Sequence, residues 1–220
     1  MAVQGFIFDM DGTLIDSEVV WVEAVRQAYA AKGCVMSAQE AGRLVYGKGW
    51  HDIYEEVRRK FPDAYPDIAA LEKVTHAFFE QARASGDIVI HGSVRLLRRL
   101  LVEYPVAVVS GSNRRTVRAC LEELGVLGKV RGYLGTEDYA PGKPAPNGFL
   151  RGAQLLGLPP AACLVFEDST AGVQAAKAAG MVCVALSLPG HPRQDLTLAD
   201  EVLDDLSAFR VARYTSRAGG

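Results

Sequence analysis

The sequence predicts an α/β protein, with a parallel sheet core carrying helices on both faces and an inserted all-helical domain. Three observations support this fold class. Short, almost wholly apolar runs rich in β-branched residues recur along the chain, as is typical of strands covered on both faces. Helical patterns alternate with the later runs, which predicts parallel strands joined by right-handed crossovers. Residues 16–90 show helical patterns and no strand-like run.

Four strands are predicted, at residues 5–8, 106–109, 162–166 and 182–186. After the second strand, Val117, Leu121 and Leu124 recur at helical spacing, and Gly125 is a typical helix stop. After the third strand, residues 171–179 form a helix of small residues that Gly180 ends.

The helical segment is predicted to be a separate domain of residues 16–90, which leaves residues 1–15 and 91–220 as the core. Its apolar residues Leu71, Val74 and Phe78 lie on one helical face, and residues 51–60 are rich in charge. An insertion beside a site at a strand end is a natural lid.

Composition excludes several classes of function. The formal net charge of −2 gives no basic footprint for nucleic acid or for a membrane surface. No apolar stretch is long enough to span a bilayer, and the first residues do not resemble a signal peptide. Four scattered cysteines without metal-ligand spacing suit a reducing compartment. We therefore expect a cytoplasmic protein with no nucleic-acid or membrane partner.

The end of the first strand carries the strongest chemical signal. The apolar run there ends in Asp9 and Asp11, followed by Gly12 and Thr13. Buried carboxylates are costly unless a positive charge compensates them, and Mg²⁺ is suited to that task. This strand end is predicted to hold Mg²⁺ and to present one carboxylate as a nucleophile, although Asp9 in a turn or helix cap is the simpler alternative.

Other candidate residues follow the later elements. Ser110 follows the second strand, Lys143 lies in a Gly-Lys-Pro-Ala-Pro loop, and Glu167-Asp168-Ser169 follows the third predicted strand. In open α/β sheets, sites form beyond the carboxyl ends of the strands, so these residues are expected to converge.

Together these four motifs, in this order, closely resemble those of the haloacid dehalogenase superfamily, in the phosphatases with a helical C1 cap between the first and second motifs. The resemblance covers nearly the whole chain. It implies a Rossmann-like core and a phosphoric monoester hydrolase that uses Mg²⁺ and an aspartyl-phosphate intermediate.

The resemblance also implies individual roles. Asp9 would be the nucleophile, and Asp11 would be the general acid and then the general base. The metal would be held by the carboxylates of Asp9 and Asp168 and by the main-chain carbonyl of Asp11. Glu167 would bind the metal directly or contact one of its ligands. The simpler alternatives are that Asp11 is only a turn or metal residue, and that Glu167 to Ser169 cap the next helix.

The phosphoryl group would be bound chiefly by Ser110 and Lys143. The rest of the predicted cradle comes from the loops after the first two strands and comprises Gly12, Thr13, Gly111 and Asn113. A solvated surface lysine and an ordinary Gly-Thr turn are the alternatives for Lys143 and for residues 12–13. Asn147 stands where many relatives carry Asp, which removes no catalytic group.

The cap is expected to select the substrate. The candidate residues are Glu18, Trp21, Arg43, Lys48, Trp50 and His51. Packing within the cap is a serious alternative for Trp21, and the alternative for His51 is that it only begins a helix. Trp21 and Trp50 occupy positions near which β-phosphoglucomutase-like members typically carry His and Arg, which weakens the mutase hypothesis. The Asp16-Ser17-Glu18 segment followed by Trp21 is similar to hexose-phosphate phosphatases.

These features predict a Mg²⁺-dependent phosphatase for a small phosphorylated metabolite, most simply a sugar phosphate, that acts as a monomer or weak dimer. A β-phosphoglucomutase-like mutase and a phosphoglycolate phosphatase remain as alternatives within the family. A non-catalytic phospho-acceptor domain is disfavoured, because receiver domains lack a helical insertion after the first strand.

Overall fold

The computed structural model describes residues 2–46, 50–85 and 88–215, with only the main chain at residues 50 and 82–85. The strands of the described chain are β1 Gly5–Phe8, β2 Val106–Val109, β3 Gly132–Leu134, β4 Cys163–Glu167, β5 Val182–Leu186 and β6 Glu201–Leu203. Its α-helices are α1 Ser17–Ala30, α2 Ala38–Val45, α3 Trp50–Lys60, α4 Ile68–Ser85, α5 His91–Leu100, α6 Arg114–Glu123, α7 Asn147–Leu156, α8 Thr170–Ala178 and α9 Ala212–Thr215. None of the helices in these ranges is long and apolar enough to cross a membrane.

The six strands form one sheet in the order β3-β2-β1-β4-β5-β6, and every pairing is parallel. Strand β1 therefore lies in the interior of the sheet, between β2 and β4. The predicted α/β fold class with a parallel sheet is confirmed.

Two differences from the predicted strands have simple causes. Strand β4 begins one residue later than predicted, because residues 160–162 form a short 3-10 turn. The edge strands β3 and β6 were not predicted, since each has three residues and is largely half-buried or exposed. Such short edge strands produce no continuous apolar run.

The sheet is held by apolar layers on both faces, because alternate side chains of each strand point to opposite sides. Phe8 of β1 packs on Phe166 of β4 with ring centroids 4.5 Å apart, and Phe209 meets Phe166 edge-on. On the other face, Ile7 packs in a cluster with Val165. Burying one such side chain stabilises the fold by about 1.5–3 kcal/mol, so β1 is a firm base for the residues that follow it.

The described chain divides into two compact units. The core unit is Met1–Ile15 with Val89–Gly220, and the helical unit is Asp16–Ile88. The second boundary falls two residues earlier than the predicted one. Val89 forms an isolated antiparallel bridge with Ile15, and the N–H of Ile90 donates to the carbonyl of Leu14. These contacts tie residues 89–90 to the core.

The helical unit has its own apolar core, which includes Val25, Tyr29 and Leu71. The hydroxyl of Tyr65 donates to the carbonyl of Ala28 at 2.6 Å, which satisfies the buried phenol. Helix α2 begins with a capping box, in which Ser37 and Glu40 exchange side-chain and main-chain hydrogen bonds. This unit contains no strand among its described residues.

Candidate active site

The candidate site is formed at the carboxyl edge of the sheet, where β2, β1 and β4 lie side by side. Asp9 and Asp11 follow β1, Ser110 follows β2, and Asp168 follows β4. Lys143 reaches the same place from the loop before α7. The structure thus brings together the five residues on which the predicted chemistry depends.

Asp9 is almost wholly buried, with 3% of its surface exposed. Its N–H donates to the carbonyl of Phe166, which continues the pairing of β1 with β4. Its Oδ1 accepts a hydrogen bond from Nζ of Lys143 at 2.5 Å. Burial raises the pKa of Asp9 well above its usual value; Lys143 opposes this rise, and the charges of Glu167 and Asp11 add to it.

Lys143 bridges two carboxylates, because its Nζ also donates to Oε1 of Glu167. Burial alone would lower the pKa of Lys143, but Asp9 and Glu167 outweigh it and raise that pKa. The lysine therefore remains a fixed positive charge. The alternative of a solvated surface lysine does not describe this side chain, which is 17% exposed.

Glu167 acts as a structural anchor in this arrangement. Its Oε2 accepts hydrogen bonds from the N–H groups of Asp168 and Ser169, both at 2.7 Å, and from the Ser169 hydroxyl. Helix α8 passes so close that a methyl group at Gly172 would overlap the Glu167 carboxylate. Both carboxylate oxygens are thus engaged by protein donors, and the predicted metal role of Glu167 stays a prediction.

The Asp11 carboxylate is tied to the loop after β2. Its Oδ2 accepts hydrogen bonds from the hydroxyls of Ser110 at 2.8 Å and of Ser112 at 2.7 Å. Ser112 was not among the predicted site residues. A signal was present, because Ser110 and Ser112 repeat after β2 the two-residue spacing of Asp9 and Asp11 after β1.

Ser110 is fully buried and has a partner for every polar group. Its N–H donates to the carbonyl of Leu134, and its carbonyl accepts from the hydroxyl of Tyr139 at 2.8 Å. Its own oxygen accepts from the N–H of Ser112 at 2.9 Å. Tyr139 was also missed, since a lone tyrosine in a loop gives no motif.

Asp168 faces the turn after β1. The buried hydroxyl of Thr13 donates to its Oδ1 at 2.9 Å. Gly12 has a φ of 82°, and a methyl group there would overlap the Asp168 carboxylate, so this turn requires glycine on two counts. Burial raises the pKa of Asp168, and the charges of Glu167 and Asp9 add to the rise.

Two predicted phosphate-binding residues lie in the loop that leads into α6. Asn113 caps that helix, because its side-chain oxygen accepts from the N–H of Thr116 at 2.9 Å. The N–H of Gly111 has no partner among the described residues. A contact between phosphate and either residue stays a prediction, as it does for Gly12 and Thr13.

The charge balance and the donor types at this site fit a divalent cation. Among the described residues, four carboxylates, on Asp9, Asp11, Glu167 and Asp168, converge there with the ammonium of Lys143. Oxygen donors of this kind suit Mg²⁺. Within the described ranges, no three His, Cys, Asp or Glu side chains, including these carboxylates, surround one point closely enough to form a ready-made metal cage. A site with two carboxylates, one carbonyl and several waters needs no such cage.

A family model for haloacid dehalogenase-like hydrolases matches residues 3–180. The chain belongs to this family. The prediction of a hydrolase of the haloacid dehalogenase type is confirmed.

Relatives within the family cover almost the whole chain. Protein CbbY of Rhodobacter capsulatus is 32% identical over 94% of this chain and 96% of its own length. Hexitol phosphatase A of Escherichia coli strain K12 is 32% identical over 97% of this chain and 96% of its own length. A solved haloacid dehalogenase family hydrolase from Deinococcus radiodurans R1, with bound phosphate and sodium, is 26% identical. It superposes with a TM-score of 0.78 over 96% of this chain and 95% of that one.

The predicted substrate residues of this haloacid dehalogenase-like hydrolase lie in the helical unit. Glu18 and Trp21 are in α1, Arg43 is in α2, and His51 is in the first turn of α3. Lys48 lies outside the described residues, and of Trp50 only the main chain is described.

Two of these residues have clear surroundings within the helical unit. Trp21 stacks on Phe79 with ring centroids 3.9 Å apart, and the ring of His76 meets it edge-on. Arg43 lines a small cavity of about 200 Å³ together with Glu40 and Lys60. The substrate role of the six residues stays a prediction.

Proposed function

We propose that this hydrolase releases phosphate from a small phosphorylated metabolite, a sugar phosphate, through an aspartyl-phosphate on Asp9 with Mg²⁺ as cofactor. The observation that carries the proposal is the pairing of buried Asp9 with Lys143, beside Asp11 and Asp168. A structural salt bridge alone would not need two further carboxylates at the same strand ends.

Asp9 is suited to attack phosphorus. Lys143 holds Oδ1, and Oδ2 accepts no hydrogen bond from the described residues, so Oδ2 is the oxygen available for attack. In the first step, the Oδ2–phosphorus bond forms and the bond from phosphorus to the ester oxygen breaks. Lys143 lies where it would also neutralise charge on the transferring phosphoryl group.

Asp11 is suited to move the proton. It would protonate the departing ester oxygen in the first step, and in the second it would take a proton from the water that attacks phosphorus. That second step breaks the Oδ2–phosphorus bond, releases inorganic phosphate and restores both carboxyl groups. The hydroxyl donors on Asp11 show that its side chain lies beside the loop assigned to phosphoryl binding.

The residues for the cation are Asp9, Asp168 and the main-chain carbonyl of Asp11. When bound, Mg²⁺ would lower the repulsion between the phosphate dianion and these carboxylates. The protein holds Asp168 ready for this role through Thr13, because their hydrogen bond fixes one carboxylate oxygen.

The name of hexitol phosphatase A supports a polyol or sugar phosphate as the substrate class. A phosphate-bound relative with 26% identity supports phosphate binding at such a fold. The roles assigned to these core residues concern the phosphoryl group, which sugar phosphates, phosphoglycolate and nucleoside monophosphates share, so a substrate screen separates these classes.

A phosphate-release screen with Mg²⁺ tests the proposal. The panel contains hexose and hexitol phosphates, phosphoglycolate and nucleoside monophosphates, with the Asp9→Asn variant as the control. Release from sugar phosphates that is lost in Asp9→Asn is the expected result. Isomerised sugar phosphate without phosphate release would overturn the proposed phosphatase activity in favour of a mutase. Phosphate release from phosphoglycolate alone would overturn the assignment of a sugar phosphate as the substrate.

A further inference from the structure

We propose that Ser112 is a positioning residue, whose hydroxyl holds Asp11 in place while the hydroxyl of Ser110 turns to the phosphoryl group. This inference rests on the proposed function, because it requires Asp11 to transfer a proton. Its basis is the pair of hydroxyl donors on one oxygen, Oδ2 of Asp11.

Ser110 cannot serve both partners at once. A serine hydroxyl has one hydrogen, and in the structure that hydrogen is directed to Asp11. If Ser110 donates to a phosphoryl oxygen, it must release Asp11. Its main chain cannot follow, because its N–H is held by Leu134 and its carbonyl by Tyr139. Only the hydroxyl is able to turn.

Ser112 is placed to hold the Asp11 carboxylate while the Ser110 hydroxyl turns to the phosphoryl group. Its N–H donates to the Ser110 oxygen at 2.9 Å, and its carbonyl accepts from the N–H of Thr136 at 2.9 Å. The main chain of Ser112 is thus fixed on both sides, and its hydroxyl points to Oδ2 of Asp11 at 2.7 Å.

Holding one carboxylate oxygen also fixes the rotation of the carboxyl group, and so fixes the place of the other oxygen. General acid catalysis requires that oxygen to lie within hydrogen-bond reach of the leaving group. Loss of the Ser112 hydroxyl should therefore impair proton transfer more than phosphoryl binding.

The experiment compares kcat/KM for p-nitrophenyl phosphate, whose leaving group needs little protonation, with kcat/KM for phenyl phosphate, whose leaving group needs more. The variants are Ser112→Ala, Ser112→Thr, Asp11→Asn and the Ser112→Ala/Asp11→Asn double variant. Thr116→Ala is the matched control. It also removes a hydroxyl from the segment after β2, but that hydroxyl donates to Asn113 and not to Asp11.

Ser112→Ala should raise the ratio of the two kcat/KM values about tenfold, a part of the about 10²–10⁴-fold effect of a general acid. Ser112→Thr and Thr116→Ala should keep the wild-type ratio. In the Asp11→Asn background, Ser112→Ala should have no further effect on the ratio, because the two residues act as one unit.

Three results would overturn the inference. One is an equal loss on both substrates in Ser112→Ala, with a raised KM, which would make Ser112 a phosphoryl-binding residue. Another is a further rise of the ratio in the double variant. The third is an unchanged ratio in Ser112→Ala while Asp11→Asn shows its own large rise. An unchanged ratio in Asp11→Asn itself would instead overturn the acid role in the proposed function.

Discussion

Nζ of Lys143 lies 2.5 Å from Oδ1 of Asp9, although the two residues are 134 positions apart in the chain. The contact joins the loop before α7 to the end of the interior strand β1. It gives the buried carboxylate a fixed partner on one oxygen, while the other oxygen accepts no hydrogen bond from the described residues.

Replacing this lysine with an apolar side chain of similar length should remove the charge and keep the packing. We expect Lys143→Met to lower kcat/KM for p-nitrophenyl phosphate by about 10²–10³-fold, the usual loss when a transition-state charge partner is removed. Steady-state kinetics measure the effect. Lys177→Met is the control, because Lys177 forms an exposed ion pair with Asp200. A loss below about tenfold in Lys143→Met would contradict the role assigned to the ammonium.

Gly172 should tolerate no side chain, although it lies inside a helix. A Gly→Ala change in a helix normally stabilises by about 0.5–1 kcal/mol. At Gly172 the new methyl group would overlap Glu167, and overpacking of this kind costs about 1–3 kcal/mol. Gly172→Ala should therefore lower the melting temperature and, by moving the carboxylate that holds Lys143, lower activity.

Gly42→Ala in α2 is the matched control for that change, because a methyl group at Gly42 would make only ordinary contact with the Tyr46 ring. Its melting temperature should equal or exceed that of the wild type. Equal behaviour of the two alanine variants would show that Gly172 does not position Glu167.

Mg²⁺ should stabilise the folded protein, because it offsets the repulsion among the buried carboxylates. At a concentration 100 times the dissociation constant, the stabilisation should be about 2.7 kcal/mol. Thermal unfolding with and without Mg²⁺ measures it, and Asp168→Asn should abolish the response. Asp195→Asn changes an exposed carboxylate whose hydrogen bonds from the described residues come from Thr197 in its own turn, and this variant should retain the response. An Asp168→Asn protein that responds like the wild type would refute the assigned ligand.

A pH dependence is expected in the helical unit at Glu40. Hydrogen bonds from Lys60 and Ser37 lower the pKa of Glu40 from 4.5 to about 2. Because the folded pKa lies below the unfolded one, this carboxylate stabilises the fold above about pH 4.5, and the effect is lost as the pH falls toward about 2.

The variant Glu40→Gln keeps a capping-box acceptor but loses the charge. Urea unfolding should show it less stable than the wild type at pH 7, with the difference vanishing between about pH 4.5 and 2. The difference should also shrink in about 1 M salt, where screening is strong. A difference that persists unchanged at pH 2 would exclude the ion pair with Lys60 as its cause.

Much of the candidate site could be predicted from the sequence, because each motif directly follows a buried apolar strand or begins a recognisable loop. The convergence of Asp9, Ser110 and Asp168 follows from parallel pairing, which places all carboxyl ends at one edge. Tyr139 could not be assigned, and the spacing of Ser112 after Ser110 gave only a weak signal, because the roles of both residues depend on which long-range hydrogen bonds form. For the same reason, the sequence did not predict that the Glu167 carboxylate accepts hydrogen bonds both from Lys143 and from two main-chain N–H groups.

The edge strands and the domain boundary were harder to predict than the interior strands. Strands β3 and β6 are too short and too exposed to give an apolar run, and they form by pairing with an interior neighbour. The boundary at residues 88–89 depends on the bridge between Ile15 and Val89 and on the hydrogen bond from Ile90 to Leu14, long-range contacts that no local pattern encodes.

The most direct test of the mechanism is a burst experiment with Asp11→Asn and p-nitrophenyl phosphate in the presence of Mg²⁺. This leaving group needs little protonation, whereas attack of water needs the Asp11 base, so the phosphorylated enzyme should accumulate. We predict a burst of about one equivalent of p-nitrophenolate per enzyme, with a phosphoryl group located on Asp9 by peptide mass spectrometry after acid quench. Absence of a burst, or a phosphoryl group on a residue other than Asp9, would contradict the assignment of Asp9 as the nucleophile.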